Sequence, residues 1–388
     1  MKSVRLFNWI SFLAMFALIV VGTVAIWSAG NARTEVIFHG MWKNNLVTAA
    51  IGLALYFTLA FTDYRRVLSF FSWPAYALAI VMLIAVLIFG SEVYGGKRWL
   101  WFFQPSELSK LCILSLLAFL LGDARTSASE LWTTFRGFAL VGLIVGIPCL
   151  LILAEPDLGT TLTLVPAVVV MMLVGGVWRK GFVTLLLVGA VAALGILGAV
   201  YEAEKPGVSL ERREKILKYT PLKPHQVKRV RVFLFPEDDP QGAGYNQRQA
   251  LIAIGSGGFA GKGIGRGETN RLKYLPASVS MNDFIFCVYA EETGYMGALF
   301  LLALYAALLL SSCWTAARCD DLRGRLIALG FATLIFAHVY INIGMSLGLV
   351  PITGLPLPFI SSGRTFLLMI LCGFGLVQSV SLHRDPEE

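Results

Sequence analysis

Ten apolar runs recur along the chain, and they decide what it can fold into. They lie near Trp9 to Trp27, Leu46 to Phe61, Trp73 to Phe89, Leu108 to Leu121, Phe138 to Leu153, Leu162 to Val177, Phe182 to Val200, Phe284 to Leu310, Leu326 to Ile343 and Phe366 to Val380. An α-helix needs about 20 residues to cross a hydrocarbon core about 30 Å thick, so runs of this kind predict membrane spans. Several are shorter, and their ends must borrow flanking residues or pack inside the bundle. Lipid offers no partner to backbone N–H and C=O groups, and the alternation of barrel strands is missing, so helix is the one form left. Composition agrees: 57% hydrophobic and 14% charged residues exclude a soluble enzyme, a disordered chain and a coiled coil. The first run follows Lys2 and Arg5 as a signal peptide would, but its length predicts an uncleaved first span. The expected fold is a single all-α polytopic membrane domain over residues 1–388, surrounded by membrane lipids and without a nucleic-acid partner.

Basic residues orient the spans. Alternate short loops hold Lys2, Arg5, Arg65, Arg66, Arg125, Arg136, Arg179, Lys180, Arg318, Arg323, Arg325 and Arg384, against Arg33, Lys43, Lys97 and Arg98 on the other side. The positive-inside rule then places both termini in the cytoplasm. One connection, Tyr201 to Asn282 on the outer side, is long and carries 14 Lys/Arg and 8 Asp/Glu, which is +6 of the chain's formal +8. Long translocated loops do not vote on orientation, so this charge either rests on anionic headgroups or gathers a polyanionic substrate. The six cysteines, Cys112, Cys149, Cys287, Cys313, Cys319 and Cys372, show no CxxC or zinc spacing, which predicts neither a disulfide framework nor a structural metal.

Several segments carry chemistry. The glycine-rich run Gly255 to Gly267 has Ser256 and Gly263 where a Walker A loop needs Gly and Ser or Thr. It reads either as a hinge or as backbone N–H groups that, with Lys262 and Arg266, cradle phosphate. Asp283, at the mouth of the eighth span, is a helix cap or a base at the membrane surface. Glu291 and Glu292 lie deeper in that span, where charge is costly and marks either a functional site or a partner helix. Gln104 to Lys110 opens the fourth span, with Glu107 and Lys110 on one face as an ion pair or as substrate contacts. Glu155 to Thr160 reads as a tight turn whose acids cap the sixth helix. Pro351 to Gly363 is apolar yet broken by Pro and Gly, so it must be shielded by protein or line a cavity. The histidines form no motif, and His338, alone in its span, is expected to be packed.

Together these segments resemble the SEDS family of cell-wall polymerases. The matching pieces are Lys97-Arg98-Trp99, QPSELSK at Gln104 to Lys110, EPDLGT at Glu155 to Thr160, and GYNQRQALIAIGSGGFAGKG at Gly244 to Gly263. NDFIF at Asn282 to Phe286, AEETGYMG at Ala290 to Gly297 and NIGMSLGLVPITGLPLPFISSG at Asn342 to Gly363 follow in the family order. The basic stretch Glu211 to Arg231 does not map onto the family pattern. The resemblance implies a peptidoglycan glycosyltransferase of the elongation branch, with both termini inside and its active site outside. It would polymerise lipid II into glycan strands, release undecaprenyl pyrophosphate, and work beside a class B penicillin-binding protein. It also implies roles. Asp283 is the general base, or holds a divalent cation such as Mg or Mn. Arg98, Lys110 and Lys262, which lie in the matching motifs, are expected to stabilise the leaving group, and Lys97, Arg231 and Arg266 are further candidates by their charge, because preorganised cations act most strongly where charge develops. Glu107 orients Lys110, while Gln104, Gln249 and Ser256 donate hydrogen bonds to substrate. The rivals are a lipid II flippase, a division-type polymerase and a non-catalytic scaffold. A flippase needs no outer carboxylate and places its site near the midplane.

Overall fold

The computed structural model describes residues 6–31, 35–93, 96–101, 103–122, 128–155, 157–205, 208–218, 220, 224–235, 239 and 242–384. Each apolar run falls in a helix: α1 (Trp9–Asn31), α2 (Met41–Phe61), α3 (Tyr64–Phe89), α4 (Pro105–Leu121), α5 (Phe135–Ala154), α6 (Leu158–Val174) and α7 (Arg179–Glu204). Between α7 and the next long helix come α8 (Leu210–Lys218), α9 (Pro224–Leu234) and α10 (Ala243–Ser256). The chain then forms α11 (Ile285–Ala317), α12 (Leu322–Ser346) and α13 (Arg364–Leu382). Among the described residues eight helices are long and apolar enough to cross a membrane; α4 and α6 have 17 residues each. A small antiparallel hairpin, β1 (Ser91–Val93) and β2 (Gly96–Trp99), follows α3.

Local signals explain where the helices begin. Asp63, Thr134, Asp157 and Asp321 each accept a backbone N–H in the first turn of α3, α5, α6 and α12. Pro105 opens α4, where its missing N–H costs nothing. In the bundle α2 packs on α13, α3 on α4, α1 on α11, and both α6 and α11 on α12. Helices α12 and α13 are buried on nearly every face, as expected of helices apolar all round. Helix α7 differs. Its buried residues, Gly181, Phe182, Val200, Ala203 and Glu204, sit at its two ends, and the apolar middle is bare of protein.

The connections gather at two ends of the bundle. At one, Asp321 accepts from Tyr64 Oη at 2.9 Å and Arg65 Nε at 3.3 Å, and Ser379 Oγ accepts from the Tyr64 amide at 3.0 Å. At the other, Arg98 Nε donates to the Glu155 carbonyl at 3.3 Å and Gln104 Nε2 to Asp157 Oδ2 at 3.2 Å. The segment Pro351 to Gly363 runs without a helix beside this second end. Its backbone is satisfied by buried side chains. Tyr305 donates to the Pro358 carbonyl at 2.5 Å, Asn342 Nδ2 to the Leu355 carbonyl at 2.7 Å, and Ser361 Oγ accepts from the Leu357 amide at 2.8 Å. That shielding is what makes irregular backbone tolerable among apolar helices.

The glycine-rich run docks against a break in α11, where Gly294 has φ +67°, a conformation that disfavours any side chain. The amides of Lys262 and Gly263 bond the Glu291 and Glu292 carbonyls, and the amide of Gly265 bonds Ser28 Oγ. These N–H groups are therefore engaged with the protein and unavailable to a phosphate.

Candidate active site

Asp283 lies two residues before α11, and its surroundings fix it from both sides. Asn342 Nδ2, from α12, donates to its main-chain oxygen at 2.9 Å. Ser361 Oγ donates to the Asn282 carbonyl and Ser362 Oγ to Asn282 Oδ1, each at 2.6 Å. The carboxylate faces Gly354, whose φ is +75°; a Cβ there would stand 3.4 Å from Asp283 Oδ2 and 3.9 Å from Arg229 Nη2. Glycine thus lets both charged groups converge over one point of backbone. Arg229, from α9, is anchored by donating from Nη1 to the Thr353 carbonyl at 2.8 Å. Protein surrounds Asp283 although it keeps a partial opening to solvent. Burial raises its pKa to about 6, while Arg229 and Arg98 act in the opposite direction. Burial and the neighbouring Arg98 lower the pKa of Arg229.

Two further acids, Asp157 and Glu155, lie at this end. Asp157 Oδ2 accepts from Thr160 Oγ1 at 2.8 Å, Gln104 Nε2 at 3.2 Å and Ser106 Oγ at 3.5 Å, and Oδ1 accepts from the Thr160 amide. Glu155 is wholly buried, and neither carboxylate oxygen has a hydrogen-bond partner among the described residues. Burial above all, with Asp157 adding to it and Arg98 opposing, pushes Glu155 up to about 8, so it carries a proton at neutral pH.

The other predicted site residues divide. Arg98 stands close enough to Asp283 to act on its charge. Glu107 Oε2 and Lys110 Nζ meet in a buried ion pair at 2.7 Å, with side chains 4% and 2% exposed. Lys110 also donates to His338 Nε2 at 3.1 Å and lies over the Phe366 ring. His338 is packed, as expected, and serves as a third member of this cluster. A small pocket walled by Phe331, Leu334, Ile335 and Phe366 opens onto the pair. Lys262 bonds Glu291 at 2.8 Å and Glu268 at 3.3 Å, and Glu291 also accepts the Glu268 and Thr269 amides. Arg231 pairs with Glu204 at 3.2 Å. Ser256 is exposed and donates to the Ala253 carbonyl, Gln249 is half-buried in α10, and Arg266 is exposed beside Gly263. The side chain of Lys97 lies outside the described residues.

Arg229 escaped the sequence reading because it sits in the basic stretch that matched no motif. The one available signal was the interleaving of Val and Arg in Val227-Lys228-Arg229-Val230-Arg231-Val232, which turns neighbouring arginines to different sides of a helix. Among the described residues no group of three or more His, Cys, Asp or Glu could hold a metal. A divalent cation here would be held by Asp283 and take further oxygens from substrate phosphates, whose charge it would offset.

The apolar bundle and the charged cluster at one of its ends define a multi-pass membrane protein. The family model FTSW_RODA_SPOVE, described as cell cycle protein, matches residues 8–385, and the chain belongs to this family. Peptidoglycan glycosyltransferase MrdB of Escherichia coli (strain K12) is 36% identical over 377 residues, covering 96% of this chain and 92% of the relative. A solved structure described as "Structural coordination of polymerization and crosslinking by a peptidoglycan synthase complex" is 30% identical, with a TM-score of 0.73 over 98% of this chain and 99% of the other. The Thermus thermophilus rod shape determining protein RodA is 27% identical, with a TM-score of 0.66 over 98% of each chain.

Proposed function

We propose that the chain is a peptidoglycan glycosyltransferase that polymerises lipid II during cell elongation, with Asp283 as its general base. The observation that carries the catalytic part is the convergence of Asp283 and Arg229 over Gly354, with Arg98 alongside. Asp283 takes the proton of the acceptor sugar's 4-hydroxyl as that oxygen bonds the anomeric carbon of the growing strand. The bond from that carbon to pyrophosphate breaks with inversion, and its electron pair leaves on undecaprenyl pyrophosphate. A carboxylate with a pKa near 6 is a stronger base than an ordinary aspartate yet still ionised at neutral pH. Arg98 and Arg229 supply fixed positive charge where the leaving group develops negative charge. In this reading the other basic residues are secondary, because Lys110, Lys262 and Arg231 already hold carboxylates.

The whole chain is one membrane domain of ten spans. At 1.5 Å per residue the 17 residues of α4 and α6 reach about 26 Å, which suffices for helices shielded within a bundle. Both termini are cytoplasmic, and Asp283, with the stretch between α7 and α11, faces outward. The described crosslinking complex of the similar structure supports a cross-linking partner of the class B penicillin-binding kind. The test is strand synthesis by the purified protein with lipid II and that partner. Asp283→Asn is expected to fold, to bind lipid II and to lose at least about a hundredfold in rate, the scale of general-base catalysis. Normal synthesis by this variant removes Asp283 from the mechanism, and lipid flipping without synthesis by the unaltered protein favours a transporter.

A further inference from the structure

Glu204, the last residue of α7, is buried between arginines from two different helices. It lies 2.7 Å from Arg213 Nη2 of α8 and 3.2 Å from Arg231 Nε of α9, with its side chain 2% exposed. A buried carboxylate so placed ties the two helices together, because pulling both arginines away would leave an uncompensated charge. Three residues earlier, Tyr201 stacks on Phe235, just past the end of α9, with centroids 5.7 Å apart. The end of α7 therefore grips α9 in two places. Arg229 precedes Arg231 by two residues, about 200° around a helix at 100° per residue. Helix α9 thus turns one arginine to α7 and the other to Asp283 and Thr353.

We propose that Glu204 is a positioning residue: through Arg231 it seats α9 so that Arg229 stands over Asp283, and the placement of α7 sets whether the site is assembled. The proposal rests on the reading of Asp283 and Arg229 given above. Helix α7 suits the part, since no protein covers its apolar middle and only its ends are packed. A shift of α7 then reaches the site through one ion pair and one helix. Arg213, on α8, steadies the same carboxylate, and among the described residues its ion pair is with Glu204 and not with Asp283, so the two arginines are separable.

The experiment measures kcat and KM for strand synthesis with lipid II and the cross-linking partner. Arg229→Gln is expected to lower kcat at least about tenfold, and Glu204→Gln and Arg231→Gln to lower it several-fold. Glu204→Asp should keep most of the rate. The deciding variant is the double Glu204→Gln/Arg229→Gln, expected to be no slower than Arg229→Gln alone, because Glu204 acts through Arg229. Losses that multiply in the double variant overturn the proposal, as does Arg213→Gln losing as much as Arg231→Gln, since Glu204 would then merely seat the loop. If Glu204→Gln does not fold, Arg231→Gln alone and combined with Arg229→Gln decides by the same comparison. A normal rate for Arg229→Gln overturns the reading of the site itself, whereas an impaired Arg229→Gln beside a normal Glu204→Gln and Arg231→Gln overturns only the link to α7.

Discussion

Asp283 is held in a state that costs stability and, in its proposed role as general base, would serve reactivity, and both consequences can be measured. Its pKa in the folded protein is about 6, against 3.8 in the open chain. For activity, the base must be ionised, so strand synthesis should fall as pH drops through about 6 and level off above about 7. For stability the sign follows from linkage. The unfolded carboxylate ionises more readily than the folded one, so ionisation favours unfolding at neutral pH, and this cost fades as pH falls from about 6 to about 4. Asp283→Asn should therefore unfold at a higher temperature than the unaltered protein at pH 7.5, by at most about 3 kcal/mol, with the advantage gone near pH 4. Thermal unfolding in detergent at the two pH values reads this directly; an Asn variant less stable at pH 7.5 contradicts it. The sequence made Asp283 legible, because a carboxylate at the mouth of an apolar span is conspicuous. It hid Arg229, because a cation in a long basic stretch is one of many until folding brings it to Gly354.

Helix α4 shows what local pattern can tell and where it stops. Pro105 at its start and the three-residue spacing of Glu107 and Lys110 fixed the helix and the shared face. They did not reveal that α12 would bring His338 to Lys110, or that α13 would bring Phe366 over it, since those contacts are set by packing between distant segments. The same limit explains the glycine-rich run: sequence left it as a hinge or a phosphate cradle, and only the break in α11 at Gly294 shows where its amides go. A buried pair is costly to break and cheap to replace. Glu107→Gln should lower stability by about 3–5 kcal/mol, because it strands the Lys110 charge. Glu107→Leu combined with Lys110→Met should recover most of that loss, as apolar pairs of similar volume do. Equal destabilisation by the single and double variants would mean that the pair is worth more than its apolar replacement.

At the scale of the whole chain, apolar runs identify helices but not their neighbours. Helix α7 is more apolar than α13, yet α13 is buried almost throughout and α7 is bare along its middle. Hydropathy reports a segment's solvent preference, and lipid and protein interior satisfy it equally. Which end faces outward must come from charge. The basic residues beside Arg66 and those beside Arg318 lie at the end opposite Asp283, joined there through Asp321, so the positive-inside rule orients every loop at once. That orientation is testable in a Cys313→Ser background, which removes the exposed native thiol. A cysteine at the exposed position 271, Arg271→Cys, should react with a membrane-impermeant maleimide on intact cells. Arg66→Cys, equally exposed, should react only after the membrane is opened. The reverse pattern would place Asp283 and both guanidinium groups in the cytoplasm, where a strand assembled outside the cell could not reach them.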